Sequence, residues 1–304
     1  MRGDEDVSQQ LEELLDRAYE AEDEHEARAL VERALELDPE DPEALLFLAD
    51  LTEDDDERMS ILSGAIEAVR VVLHEMEIDE ATYPEDELGT VYLALLQRAA
   101  FTLFAMGDDG RALAMTEELG RHELDDGGAS RDLHYRILVE MEDWSRVLDE
   151  AERDHDHQLG RAWGRTIATF ILGDREGAAQ MFWEAMIMSP EIPFYVLGYF
   201  PEPTEGAPEE EDFNFACLWS DAFGASRELL NWISRGTILF GLLSGRFDDA
   251  PRDGLPGSEA DAMLEILGSL GGREEHERMS GRVCGGGDEE IIEALASARC
   301  LGDA

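Results

Sequence analysis

Lysine is absent from this chain. All 24 basic residues among the 304 are arginine, set against 73 acidic residues, for a formal net charge of −49. Without lysine there is no phosphate-loop lysine, no Schiff base to pyridoxal or substrate, and no lysine general base or Ser/Lys dyad. Asparagine is nearly as scarce, present only as Asn214 and Asn231, so a groove that clamps C-terminal carboxylates with Lys, Arg and Asn is not expected. Cysteine is limited to Cys217, Cys284 and Cys300, with no CxxC pair. The odd count and the lack of an apolar secretory segment point to a reducing, cytoplasmic setting without a disulfide framework. Uninterrupted apolar runs, the longest near 98–106 and 237–243, stop well short of the roughly 20 residues that cross a bilayer.

The charge also selects partners. A surface this acidic repels the phosphate backbone of nucleic acids and the anionic face of a membrane. Its natural counterpart is a protein or peptide of basic or mixed charge. Two background causes would give the same composition: a salt-rich cytoplasm that favours carboxylates, and a GC-biased genome that favours Arg codons over Lys codons.

What is present is helical periodicity. With 43% hydrophobic residues a continuous core is available, and Leu11, Leu14, Leu15, Ala18, Ala27, Val31, Ala34 and Pro39 recur at three and four, as a buried helical stripe requires. Their spacing is that of a tetratricopeptide helix pair, and Ala178, Phe182, Ala185 and Pro190 repeat its second half. Ala27, Ile61, Ala112, Val147 and Ala178 fall at equivalent positions, close to the period of about 34 residues except across an insertion at Pro84. Five helix pairs follow: 11–37, 42–76, 88–122, 130–152 and 158–188. Met106-Gly107-Asp108 and Leu172-Gly173-Asp174 are near copies of one turn. The expected architecture is an all-α, right-handed superhelical solenoid of about five tetratricopeptide-like pairs with a helical C-terminal cap. Residues 1–7 read as an acidic disordered lead, 8–189 as the repeats, 190–234 as a proline and aromatic segment with the last pair, and 235–304 as the cap. That cap has three expected helices, near 238–244, 258–269 and 288–298.

At 189–201 the pattern changes to an apolar, aromatic, proline-punctuated stretch, followed by an acidic loop, a helix with Trp219 and a final Leu229-Leu230-Asn231-Trp232-Ile233. With the third to fifth pairs, this order resembles bacterial members of the suppressor of tumorigenicity seven family. The resemblance covers roughly residues 42–233, and Pro190, Pro193, Tyr195, Leu197, Gly198 and Trp232 are its most specific part. It implies an all-helical scaffold with no established catalytic residue. The chain departs from the pattern in having Ser189, where Asn usually precedes the proline, and a shortened stretch between Trp219 and Trp232.

No nucleophile elbow or HExxH occurs, and paired carboxylates are too abundant here to mark an acid–base couple. No enzymatic activity or cofactor is expected. His155 and His157, between Asp154 and Asp156, form the one clustered imidazole pair, read as a solvated loop because a metal site needs three or four converging ligands. Gly285, Gly286 and Gly287 read as a hinge and Asp288 as an N-cap. The candidate protein-binding residues are Arg98, Arg131, Arg161 and Arg165 on first-helix segments, and the aromatics Phe194, Tyr195, Tyr199, Phe200, Trp219 and Trp232. The arginines also suit neutralisation of nearby acids, and packing of the last pair is the favoured reading of the aromatics over an interface. The functional expectation is a non-enzymatic adaptor that binds a protein segment on a concave helical face. The alternatives are a structural or self-associating module, in which 194–200 pairs two copies as a homodimer, and more distantly an acidic mimic of nucleic acid.

Overall fold

A computed structural model describes residues 2–122, 128–154, 158–247, 257–283 and 286–302, with side chains from Val7 onward. Among the described residues the chain is all-helical, with sixteen α-helices, one 3-10 helix and no strand. It divides into two compact units, residues 1–130 and 131–304.

The N-terminal unit holds α1 (Arg2–Tyr19), α2 (Glu24–Leu37), α3 (Pro42–Asp50), α4 (Asp55–Glu75), the 3-10 helix Glu80–Glu85, α5 (Glu87–Ala105) and α6 (Asp109–Leu119). Helix α1 starts at Arg2, inside the stretch expected as a disordered lead. Each α-helix packs on the next in sequence, and α3 also meets α5. Leu14, Leu15, Leu30 and Val31 bury their side chains around Ala18, Ala34 and Ala44, small residues that let neighbouring helix axes approach closely. Helix α5 is, among the described residues, the one helix long and apolar enough by composition to cross a membrane, and half of it is buried. Counting uninterrupted apolar runs overlooks it because Gln97 and Arg98 split the run; it packs against α4 and α6.

Seven of the α-helices begin on aspartate. Asp23, Asp41, Asp54, Asp86, Asp108, Asp143 and Asp174 each accept a hydrogen bond from a first-turn N–H, satisfying a donor that the helix leaves open and placing negative charge at the positive end of its dipole. Part of the acidity therefore has a local structural cause.

The C-terminal unit contains α7 (Ala129–Glu140, from Arg131 on), α8 (Trp144–Arg153), α9 (Leu159–Ile171), α10 (Arg175–Met188), α11 (Ile192–Val196), α12 (Glu210–Phe223), α13 (Arg227–Ser244), α14 (Glu259–Ser269), α15 (Arg273–Ser280) and α16 (Asp288–Ser297). Helix α9 packs on α8 and α10, α11 on α12 and α13, and α16 on α10 and α13. Three expectations change. The pieces expected at 229–233 and 238–244 are one continuous helix, α13. Its Gly236 is no break: a Cβ there would lie 2.7 Å from both Phe182 and Leu301, so glycine is needed for close packing. Helix α15, which buries little beyond Met279, shows no apolar period and was not expected. At α16 the N-cap is Gly287, while Asp288 lies in the first turn and turns its carboxylate to Arg246 at 2.8 and 2.9 Å.

The turn seen twice in the sequence is a general helix ending in this chain, for the same geometry also follows α4, α7, α11, α13, α14 and α16. After α5, α7 and α9 the Asp108, Asp143 and Asp174 N–H groups return to the Leu103, Leu138 and Thr169 carbonyls at 2.9, 3.0 and 3.2 Å, closing a helix end on a left-handed residue. That residue is Gly107 (φ 75°) or Gly173 (φ 89°) in two of them, but Glu142 (φ 56°) in the third. Glu142→Gly is expected to stabilise the C-terminal unit by about 0.5–1 kcal/mol, because glycine adopts this backbone without the Cβ clash. Urea unfolding followed by tryptophan fluorescence checks it, since Trp144, Trp163, Trp183, Trp219 and Trp232 all lie in that unit.

Candidate binding surfaces

The arginines expected to line a groove fall into both units. Arg98 on α5 forks onto Asp50 of α3, at 2.7 and 3.3 Å. In the C-terminal unit Arg131 meets Asp154 at 3.3 Å, Arg161 donates to the Ala151 carbonyl at 2.8 Å, and Arg165 lies 3.9 Å from Glu184. Each therefore has an acceptor within its own unit.

The aromatic candidates separate by burial. Phe194, Trp219 and Trp232 are core residues, so they are corrected from surface anchors to packing. Phe194 stacks on Phe200 at 4.9 Å between ring centroids and lies within van der Waals range of α13, where Gly241 leaves room for it. Trp232 packs on Phe170 and Phe182. Trp219 stacks on Phe215, and its indole nitrogen, like that of Trp163, is buried without a hydrogen-bond partner. Tyr195, Tyr199 and Phe200 are half-buried. With Phe194 buried, a pairing of two copies through 194–200 would rest on these three partly covered rings together with the half-buried Val196 and Leu197.

Behind this segment Arg246 is held by Glu191 at 2.6 Å and by Asp288, with its guanidinium 4.5 Å above the Phe240 ring. The two carboxylates and the ring tie α11, α13 and α16 together. The Arg246 pairing also holds the Asp288 carboxyl below its ordinary range.

A second polar group spans α7, α8 and α9. His134 shares a hydrogen bond with Glu150 at 2.7 Å, and Arg146 donates to the other Glu150 oxygen at 2.6 Å. Tyr135 donates to Asp154 at 3.2 Å, and the Gly160 N–H to Asp132 at 2.6 Å. The His134 contact, with Arg146, draws the Glu150 pKa down to about 2. A carboxylate lowered on folding stabilises the protein above its unfolded pKa, and that contribution disappears as pH falls through the folded value. Glu150→Gln is therefore expected to be less stable than the parent at pH 7, with the difference closing between about pH 4.5 and pH 2. Urea midpoints of both proteins across that range check it.

Cys217 is exposed and Cys300 buried, both as free thiols; Cys284 lies outside the described residues. Among the described residues no three His, Cys, Asp or Glu side chains converge as metal ligands, and His155 and His157 lie outside them.

A third grouping, not anticipated from the sequence, lies on the first helices of the N-terminal unit. Tyr19, at the end of α1, is 57% exposed and stacks on Phe47 of α3, with centroids 4.5 Å apart and planes at 12°. Glu43 and Asp50 of α3 act on the Tyr19 hydroxyl, and partial burial with these carboxylates pushes the phenol up. Partial burial and the neighbouring charges of Asp41, Glu87 and Asp16 push the Glu43 carboxyl up in turn.

Comparison with known proteins finds no family model, no curated protein and no solved structure that matches this chain.

Proposed function

We propose that this chain is a non-enzymatic, cytoplasmic helical-repeat scaffold. Its helix pairs form a tetratricopeptide-like solenoid, and its helical face binds a protein segment of basic or mixed charge. The observation that carries this reading is the packing of each α-helix on the next through the N-terminal unit and from α8 to α10 in the C-terminal unit. Repeats of this kind offer extended recognition surfaces rather than enclosed reaction sites. The net charge of −49 supplies the electrostatic half, raising encounter rates with cationic partners and excluding acidic ones.

Host lysate passed over the immobilised protein, with an unrelated protein of equal charge density as control, tests this. The expected result is a small set of basic proteins held by this bait and not by the control. They should be released as salt rises above about 0.15 M, where the screening length is ~8 Å. An identical set on both baits, or an empty bait at low salt, overturns the reading.

A further inference from the structure

We infer that the face formed by α1, α3 and α5 of the N-terminal unit is the docking site for an arginine side chain of a partner protein, received on the exposed ring of Tyr19 and paired with the carboxylates around it. The inference deepens the scaffold reading by naming a site and the chemistry of its occupant, and it rests on that reading.

Three observations lead to it. First, Tyr19 is the most exposed aromatic among the large hydrophobic side chains. One face of its ring is fixed by the near-parallel Phe47, which leaves the other a rigid platform. A guanidinium lies flat on such a ring, attracted by its negative face, with a gain that grows as water is excluded. Second, Glu43 and Asp50 of α3 act on the Tyr19 hydroxyl, and Glu43 in turn feels Asp16 of α1, Asp41 at the N-cap of α3 and Glu87 at the start of α5. Partial burial first and the charges of these neighbours second push the Glu43 carboxyl up, and a cation seated there would offset both. Third, Arg98, the nearby internal cation, is committed to Asp50 by two hydrogen bonds, while Glu43 is held by the neutral Tyr19 hydroxyl, which fixes the carboxylate beside the ring without neutralising it.

Charge decides among occupants. A second copy would bring another −49 to the contact, and a nucleic acid or anionic membrane would add like charge, so each is repelled. A planar guanidinium matches both the ring and a carboxylate fork, whereas an ammonium offers only a point charge.

The test uses a fluorescein-labelled twelve-residue peptide with evenly spaced arginines, and a second peptide with lysine at the same positions, titrated against the full chain by anisotropy. The variants are Tyr19→Ala, Tyr19→Phe, Glu43→Gln and, as a charge-matched control on the outer helix α2, Glu36→Gln. Expected are saturable binding of the arginine peptide, weaker binding of the lysine peptide, and affinity lowered about 3- to 30-fold by Tyr19→Ala but retained by Tyr19→Phe. Glu43→Gln should weaken binding more than Glu36→Gln. Equal affinity for Tyr19→Ala and the parent, or equal effects of the two glutamine variants, would show that net charge alone holds the peptide and would overturn the site. Host proteins still captured by a Tyr19→Ala bait would sink the site while leaving the scaffold reading in place, whereas an empty parent bait sinks the scaffold reading itself.

Discussion

Phe182→Ala is expected to destabilise the C-terminal unit by about 3–5 kcal/mol, the cost of removing a fully buried aromatic and leaving a cavity that closes only in part. Phe182 is fully buried and is surrounded by Trp163, Trp183 and Trp232, at centroid distances of 5.7, 4.8 and 5.3 Å. The ring therefore sits where α9, α10 and α13 meet, and edge-on aromatic pairs add to the burial. Whole domains are stable by only about 5–15 kcal/mol, so this change removes a large share. Because the surrounding indoles are the reporters, urea unfolding by tryptophan fluorescence reads the loss directly. Phe182→Leu, which keeps most of the volume, should lose clearly less.

The second large effect is expected at the C-terminal end. After α16 the chain turns through Arg299 and Leu301, both with positive φ (51° and 73°), and inserts Cys300 and Leu301, neither exposed, into the core. Two indoles grip this hook. Trp183 donates to the Cys300 carbonyl at 3.1 Å and Trp232 to the Leu301 carbonyl at 3.2 Å. The Leu301 N–H donates to Glu275 at 2.9 Å, and Glu275 is itself paired with the buried Arg235 at 2.8 Å. Ending the chain at Ala298 removes the apolar plug and leaves both indole N–H groups without their acceptors. A loss of at least about 3 kcal/mol follows, from a lost buried leucine plus unsatisfied polar groups. The expected signature is a lower urea midpoint and a red-shifted emission as Trp183 and Trp232 become hydrated. An unchanged midpoint would mean that the hook contributes nothing to the unit.

What the sequence made legible was periodic. Glu24–Leu37 and Arg175–Met188 carry apolar residues at three and four, begin after an aspartate and end before a proline, so pattern and cap agree. What it hid depends on contacts between distant residues. Separate pieces are expected at 229–233 and 238–244, whereas α13 runs through Gly236, which is glycine because Phe182 and Leu301 approach it from elsewhere in the chain. The hook at 299–302 has no local signal, since its backbone is shaped by indoles at 183 and 232. Glu142 occupies a left-handed position where a glycine would have announced the turn. The dense aromatics at 194–232 drew attention as surface candidates, yet density in sequence accompanied burial for Phe194, Trp219 and Trp232. Tyr19 and Phe47 are far apart in sequence, and only the packing of α1 on α3 makes them one stacked platform.

Hydrogen–deuterium exchange of the full chain, with and without the arginine peptide, tests the central claim most directly by showing where a cationic segment lands. Protection confined to the end of α1, to α3 and to the beginning of α5 is the predicted result. Protection on α2, α4 or α6, or none at a peptide concentration that saturates the anisotropy signal, would contradict it.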